Sequence, residues 1–306
     1  FITLPQLREL ADYCRRHYVE FTPSLNGPAH AHWLTDKFPD LIMPGYNSYD
    51  ADPTRPEFFK HLFDVYGELI AATKPSYCDT ALDEWWHKPV GPVSPQYKGR
   101  EKREIFLETV LKIHDYFKAR GIKMMMFSDM LQRGHNGGKP YDNYLNADKL
   151  PKDIVVCTWG QGGAAAARYF ADLGHISWYI GNLYPQIESA PLKGCKNFTG
   201  LGVVNYDSVT PDFGYGAAGM LRTADRAWNF WTDSGASLDD WLYQNGSNVM
   251  PMYSVMPNPR ASREFVPIDI RAVCNDSYAR PSTGKWRIDG LPQGETKIGF
   301  IPTRIN

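Results

Sequence analysis

The chain has 306 residues, 43% of them hydrophobic and 22% charged, the balance of a globular protein with material for a sizeable core, which excludes disordered and collagen-like chains. Thirty-three basic residues face thirty-four acidic ones, a formal charge of -1, so no excess charge favours a nucleic-acid backbone or an anionic membrane as partner. No apolar run approaches the roughly 20 residues of a membrane span, and Phe1-Ile2-Thr3-Leu4-Pro5 has neither the basic start nor the apolar stretch of a signal peptide.

The spacing predicts a helix over residues 3–17, where Thr3 and Gln6 form a capping box and Leu7, Leu10, Ala11 and Cys14 share one face. A strand over 18–25 follows, then a loop rich in Gly, Pro and Asn, a helix over 55–73 and a strand over 76–82. Residues 100–120 carry helical apolar spacing (Ile105, Phe106, Val110, Ile113, Phe117) and stop at Gly121, after which 122–127 and 153–158 read as short buried strands. A helix over 164–173 ends at Gly174, strands follow over 175–180 and 201–206, and a helix over 220–231 closes the series. Strands alternating with helices predict a parallel sheet, and the expected fold is α/β, a (β/α)8 TIM-type barrel. Six strands are expected rather than eight, with no room upstream of the first helix, so the expected barrel lacks its first two strands. The expected domains are 1–244, an N-terminally incomplete catalytic barrel, and 245–306, a linker with the start of a β-sandwich-like module of strands over 265–273, 285–289 and 298–301, the last after a turn at Pro292-Gln293-Gly294.

Five widely spaced cysteines, without a CxxC pair, read as buried unpaired thiols. Nine Trp and eighteen Tyr exceed what such a core needs, which keeps stacking on sugar faces open. No P-loop, GxGxxG or GxSxG pattern is present, so no cofactor is expected.

In such barrels the chemistry sits where strands end. The sharpest of these ends is Leu82-Asp83-Glu84-Trp85-Trp86, two adjacent carboxylates among rings. Burial beside tryptophan raises a carboxyl pKa toward that of a general acid. The competing reading is a pair that caps the next helix. His30 and His32 form an HxH pair, which begins a zinc site only where further histidines follow downstream. The later ends offer Asp129, Trp159 and Tyr179 instead, so no metal site is expected. His135, in a Gly-rich loop, reads as solvated.

At these residues the chain resembles the catalytic domain of glycoside hydrolase family 20, the β-N-acetylhexosaminidases. FTPSLNGPAHAHWL, with Pro28-Ala29-His30, is similar to the strand leading into the family's Pro-Gly-His loop, followed by KFPDL. Asp83-Glu84 matches its adjacent Asp-Glu, MMMFSDM and VVCTWGQ its fifth and sixth strands, and GVVNYDS with ADRAWN its eighth strand and closing helix. The chain departs from the pattern at Ala29, where the family has Gly, at Ala81-Leu82, where it has two Gly, and at Tyr206-Asp207. The family's sugar-gripping Arg comes from a first strand absent from this series.

The resemblance implies a glycosidase that removes terminal N-acetyl-β-hexosamine from glycans, with retention, through attack by the substrate's own 2-acetamido group. Glu84 would be the acid and base, and Asp83 would orient the acetamido group. His30, Asp129, Trp159, Trp178, Tyr179, Tyr184, Tyr206 and Asp207 would bind substrate, with Tyr179 or Tyr184 on the acetamido oxygen. The partner is then a glycan or glycoconjugate, and the setting extracellular, periplasmic or lysosomal-type. Two alternatives stay open: a two-carboxylate retaining glycosidase with Asp129 or Asp207 as nucleophile, and a non-catalytic carbohydrate-binding protein.

Overall fold

The computed structural model describes residues 2–44, 50–89, 92–160, 162–181, 192, 194–203, 253–257, 270–274, 282–288, 291–298 and 303–305. Contacts divide the chain into two units, one of Phe1–Gly181 with Gln186–Gly202, the other of Asn182–Pro185 with Val203–Asn306. The expected boundary at 244/245 lies outside the described residues, as does the helix expected over 220–231.

The first unit opens with α1 (Leu4–Arg16). The Thr3 N–H donates to Gln6 Oε1 at 2.9 Å and the Gln6 N–H to Thr3 Oγ1 at 3.4 Å, which gives two otherwise unpaired helix-end donors a partner. A short α2 (His32–Thr35) and α3 (Pro56–Thr73) follow. The strands β1 (Tyr77–Asp79), β2 (Lys123–Phe127), β3 (Val155–Thr158), β4 (Ile176–Gly181) and β5 (Phe198–Val203) lie side by side in that order. Pairing from β1 through β4 is parallel. The connections β1 to β2 and β3 to β4 run through α4 (Lys102–Lys118) and α5 (Gly163–Asp172), the crossover a parallel pair requires.

Residues of the strands, with Ile154 just before β3, alternate between two buried faces. Cys78, Met124, Met126, Ile154 and Val156 join the large core with Phe58, Leu62 and Tyr66 of α3 and Phe106, Val110, Ile113 and Phe117 of α4. Met125, Val155 and Cys157 point the other way, packed with Tyr77, Phe127, Ile176, Trp178 and Ile180. Burial on both faces is the signature of a parallel sheet.

The strand expected over 18–25 is reduced to one parallel bridge, Ser24 to Asp79. Pro23 has no N–H to give a ladder, and Tyr18 is left-handed (φ 58) and fully exposed. The strand expected over 76–82 stops at Asp79, because Ala81 and Leu82 turn to positive φ. The last barrel strand begins at Phe198 rather than 201, and its expected residues 204–206 lie outside the described residues. Among the described cysteines, Cys78, Cys157 and Cys195 are buried unpaired thiols, while Cys14 is only half-buried. No helix among the described residues is long and apolar enough to cross a membrane.

In the second unit β6 (Tyr253–Pro257), β7 (Ile270–Cys274) and β10 (Thr303–Ile305) form an antiparallel sheet ordered β10-β7-β6. Separately, β8 (Ser282–Ile288) pairs antiparallel with β9 (Leu291–Ile298). Pro292-Gln293-Gly294, expected as a turn, lies inside β9.

Tyr66 links α3 to the edge of the first sheet. Fully buried, it donates its hydroxyl to Asp79 O at 2.6 Å and accepts the Leu25 N–H at 3.2 Å. Tyr66→Phe keeps the ring and removes both bonds, so stability in urea should fall by about 1–3 kcal/mol with an unchanged m-value.

Candidate active site

Where β1 ends, the chain does not continue into a helix. Residues 80–87 form a tight loop, and α4 starts only at Lys102, after Glu101, with no capping bond from Asp83 or Glu84. The adjacent carboxylates therefore cap nothing. The loop holds three left-handed non-glycine residues, Ala81 (φ 52), Leu82 (φ 61) and Glu84 (φ 55), a conformation costing roughly 1–2 kcal/mol per L-residue. Leu82 is buried in the core, and the Ala81 carbonyl accepts the Phe127 N–H at 2.7 Å, so packing and the β2 edge hold the loop open.

Three other segments converge on it. His30, left-handed at φ 52 just before α2, puts Nε2 3.1 Å from Glu84 Oε2 and 4.0 Å from Asp83 Oδ2. Its HxH partner His32 faces Asp36 Oδ1 at 3.8 Å, so the two rings do not converge. From the turn after β2 (Asp129–Leu131), Asp129 Oδ2 accepts the Glu84 N–H at 2.9 Å and the Asn136 amide at 2.9 Å. Asp129 is fully buried, whereas the side chains of Asp83 and Glu84 are 18% and 38% exposed. The pair thus offers one sheltered carboxylate and one that reaches solvent.

Burial is the main cause that pushes Asp83 up to about 7, with the Asp129 charge adding to it and His30 opposing. Asp129 is also raised by burial, against the hydrogen bonds from Asn136 and the Glu84 N–H. Asp83 Oδ1 and Asp129 Oδ1 are both buried without a hydrogen-bond partner.

The aromatic candidates follow along the strand ends. Trp159, just past β3, lies edge-on to His135 (4.7 Å, 71°) and Phe127 (6.4 Å, 76°). A side chain at Gly160 would meet the His135 ring at 2.8 Å, so only glycine admits it. Trp178, on the face of β4 opposite the helices, donates Nε1–H to Thr199 Oγ1 at 3.1 Å and lies over Gly200, where a Cβ would come within 2.4 Å of the ring. Tyr179 is half-buried at the end of β4, and burial raises its phenol. Tyr184, Tyr206 and Asp207 lie outside the described residues.

Three participants, Asn136, Asp50 and Lys102, were not legible in the sequence, and a fourth, His135, was misjudged. Asn136 belongs to the Asp129 cluster, and His135, expected to be solvated, is packed against Trp159 with its Nδ1 buried. Buried Asp50 and Lys102 and half-buried His87 form a group behind the loop. His87 Nδ1 is 3.0 Å from Asp50 Oδ2, and Lys102 Nζ donates to the His87 carbonyl at 2.6 Å. The Asn-Gly-Gly run at 136–138 was a turn signal that could have brought the loop in, but nothing in sequence order links Asp50 or Lys102 to Glu84.

The folded-state pKa of Asp83 lies above its unfolded value of about 4, so the protonated acid is favoured by folding. Its contribution is present below pH 4 and is lost as pH rises toward 7. Asp83→Asn should therefore be more stable than the parent at pH 8, by on the order of 2 kcal/mol, with the gap closing near pH 4. Urea titrations across that range check it; a gap independent of pH would contradict it.

Comparisons with known proteins bear on the family and the fold. Residues 1–177 match the model of the glycosyl hydrolase family 20 catalytic domain. The chain is similar to the structure of a family 20 exo-β-N-acetylglucosaminidase from Vibrio harveyi in complex with N-acetylglucosamine, at 16% identity and TM-score 0.56, over 77% of this chain and 42% of that one. It is similar to a Flavobacterium johnsoniae chitobiase at 14% identity and TM-score 0.59, over 81% of this chain and 41% of that one. A third similar structure, a Bacteroides fragilis β-N-acetylhexosaminidase, gives 13% and 0.56 over 81% and 56%. No curated protein sequence matches. The chain spans about two-fifths of the length of the first two structures, and its parallel sheet is part of their TIM-type barrel. With the family model covering more than half of its residues, including the loop that carries Asp83 and Glu84, this chain belongs to glycosyl hydrolase family 20.

Proposed function

We propose that the protein removes terminal N-acetyl-β-hexosamine from glycans by retaining hydrolysis in which the substrate's 2-acetamido group is the nucleophile. The observation that carries the reading is the loop of Asp83 and Glu84. It sets two adjacent carboxylates in different surroundings, with His30 on one of them and Asp129 holding the backbone beneath.

In this mechanism Glu84 gives its proton to the glycosidic oxygen as the bond to the anomeric carbon breaks. The acetamido carbonyl oxygen forms the new bond to that carbon, and the positive charge spreads over the resulting five-membered ring. Asp83, as a carboxylate, accepts the acetamido N–H and stabilises that charge. Glu84, now ionised, takes a proton from water; the water attacks the anomeric carbon and the ring reopens. Two displacements retain the configuration. Trp159 and Trp178 are proposed to wall the acetamido pocket and Asp207 to hold sugar hydroxyls, with Tyr179 or Tyr184 on the acetamido oxygen and His30 and Tyr206 as further substrate-binding residues.

A two-carboxylate mechanism with Asp129 as nucleophile is disfavoured by that residue's surroundings. Asp129 is fully buried and one of its oxygens already takes two hydrogen bonds, so a sugar carbon has no path to it.

The test is hydrolysis of chromogenic N-acetyl-β-glucosaminide and N-acetyl-β-galactosaminide beside the plain β-glucoside and β-galactoside. Turnover should be confined to the acetamido sugars, and Glu84→Gln should lower kcat/KM by about 10²–10⁴-fold. Equal turnover of the plain glycosides, or wild-type rates in Glu84→Gln, would sink the reading. Binding of the sugar without turnover by the parent would instead favour a carbohydrate-binding role.

Because the free protein's ionisations govern kcat/KM, and Asp83 must lose a proton held to about 7, kcat/KM on acetamido substrates should rise with pH through that value. Asp83→Asn should lose both rate and that rising limb in the same pH series.

A further inference from the structure

Lys102 is placed where a lysine is costly. It is the first residue of α4, at the end of the helix dipole that repels cations, and is only 4% exposed. Among the described residues no carboxylate lies within ion-pair distance of it. Burial pushes its ammonium down to about 7, with the Asp50 charge opposing. What surrounds it is the segment following Glu84. Nζ donates to the His87 carbonyl at 2.6 Å and stands 4.1 Å from the centroid of the Trp85 ring and 4.9 Å from that of Tyr141.

The same helix grips Trp85 a second time. Phe106, one turn beyond Lys102 on the same face, stacks on the fully buried Trp85 at 6.4 Å and 22°. His87 is fixed at both ends, its carbonyl by Lys102 and its ring by fully buried Asp50. The Trp86 N–H donates to the Glu84 carbonyl at 2.8 Å and closes the turn between them. Glu84 itself is left-handed, a backbone state that persists only where its surroundings enforce it.

We infer that Lys102, with the Asp50–His87 pair, is a positioning device for the general acid: it clamps Trp85 and His87 from behind and so fixes the direction of the Glu84 carboxyl. The inference rests on the reading of Glu84 as that acid. None of the three residues touches substrate; they act through the turn. A displaced acid is felt most where the leaving group most needs a proton, and a departing sugar alkoxide needs it far more than an activated phenolate does.

The experiment measures kcat/KM and KM for the parent, Lys102→Met, Lys102→Arg and Asp50→Asn on two kinds of substrate. One is an aryl N-acetyl-β-hexosaminide with a strongly acidic phenol, the other a β-linked disaccharide with the same non-reducing sugar. Lys102→Met should lose at least about 10-fold more kcat/KM on the disaccharide than on the activated aryl glycoside, mostly in kcat, with Lys102→Arg recovering part of it. Asp50→Asn, nearly isosteric, should shift the same ratio in the same direction and carries the test if Lys102→Met does not fold. Equal losses on both substrates, the result of fewer folded molecules, would overturn the inference while leaving the function intact, as would unchanged rates. A parent that hydrolyses neither substrate would instead remove the functional reading and this one with it.

Discussion

One hydrogen bond organises the site: the Glu84 N–H donating to the carboxylate of Asp129. It joins the segment after β1 to the turn after β2, so two strand ends become one rim. The acceptor is a fully buried carboxyl, so losing the bond would leave it with only the Asn136 amide as donor. It also explains how Glu84 stays left-handed, since the amide is captured on one side and the carbonyl by Trp86 on the other. His30 meets Glu84 from outside the sheet, and the Asp50–His87–Lys102 group supports it from behind.

The loop shows how a backbone can survive the loss of its usual residues. The family pattern that the sequence resembles has two glycines where Ala81 and Leu82 stand, and glycine meets positive φ at little cost. Here Ala81 and Leu82 both lie in the left-handed region. Leu82 offsets its strain by burying its side chain in the main core, worth about 1.5–3 kcal/mol for a residue of this kind. Ala81 keeps its carbonyl bonded to the Phe127 N–H. Shape is thus held by packing where conformational freedom is absent, and the result should be a stiffer loop than a glycine pair would give.

Much of the fold was legible because parallel α/β units repeat a simple pattern. The helices 56–73 and 102–118 and the strands at 123–127 and 155–158 carry apolar residues at spacings that admit one reading, bounded by Gly121 or Pro56. Residues 18–25 misled because the residue types suited a strand while Pro23 removed a needed donor. In the site, Asp83-Glu84 stood out since adjacent carboxylates among rings are chemically conspicuous, and His30 and Asp129 followed from their places at element ends. Lys102 was invisible: in the sequence it is one more charged residue at a helix start, and only the packing of α4 on Trp85 turns it inward. His135 was misjudged for the opposite reason, since a Gly-rich loop suggests solvent, yet the missing side chain at Gly160 lets the ring pack in.

The electrostatics of the site set folding against the proposed chemistry. Asp50, Asp83 and Asp129 are all raised by burial, so each is easier to keep protonated in the folded chain than in water. The substrate-assisted route asks the reverse of Asp83, which must be ionised as positive charge develops beside it. A carboxylate kept in an apolar, like-charged setting is destabilised in the empty site and relieved when an acetamido N–H and then a cationic ring arrive. The relief grows along the reaction coordinate, so this arrangement favours the transition state over the bound substrate. On the proposed route, stability given up at neutral pH is the source of the interaction with the developing charge, the exchange expected where a functional site is strained within an otherwise well-packed core.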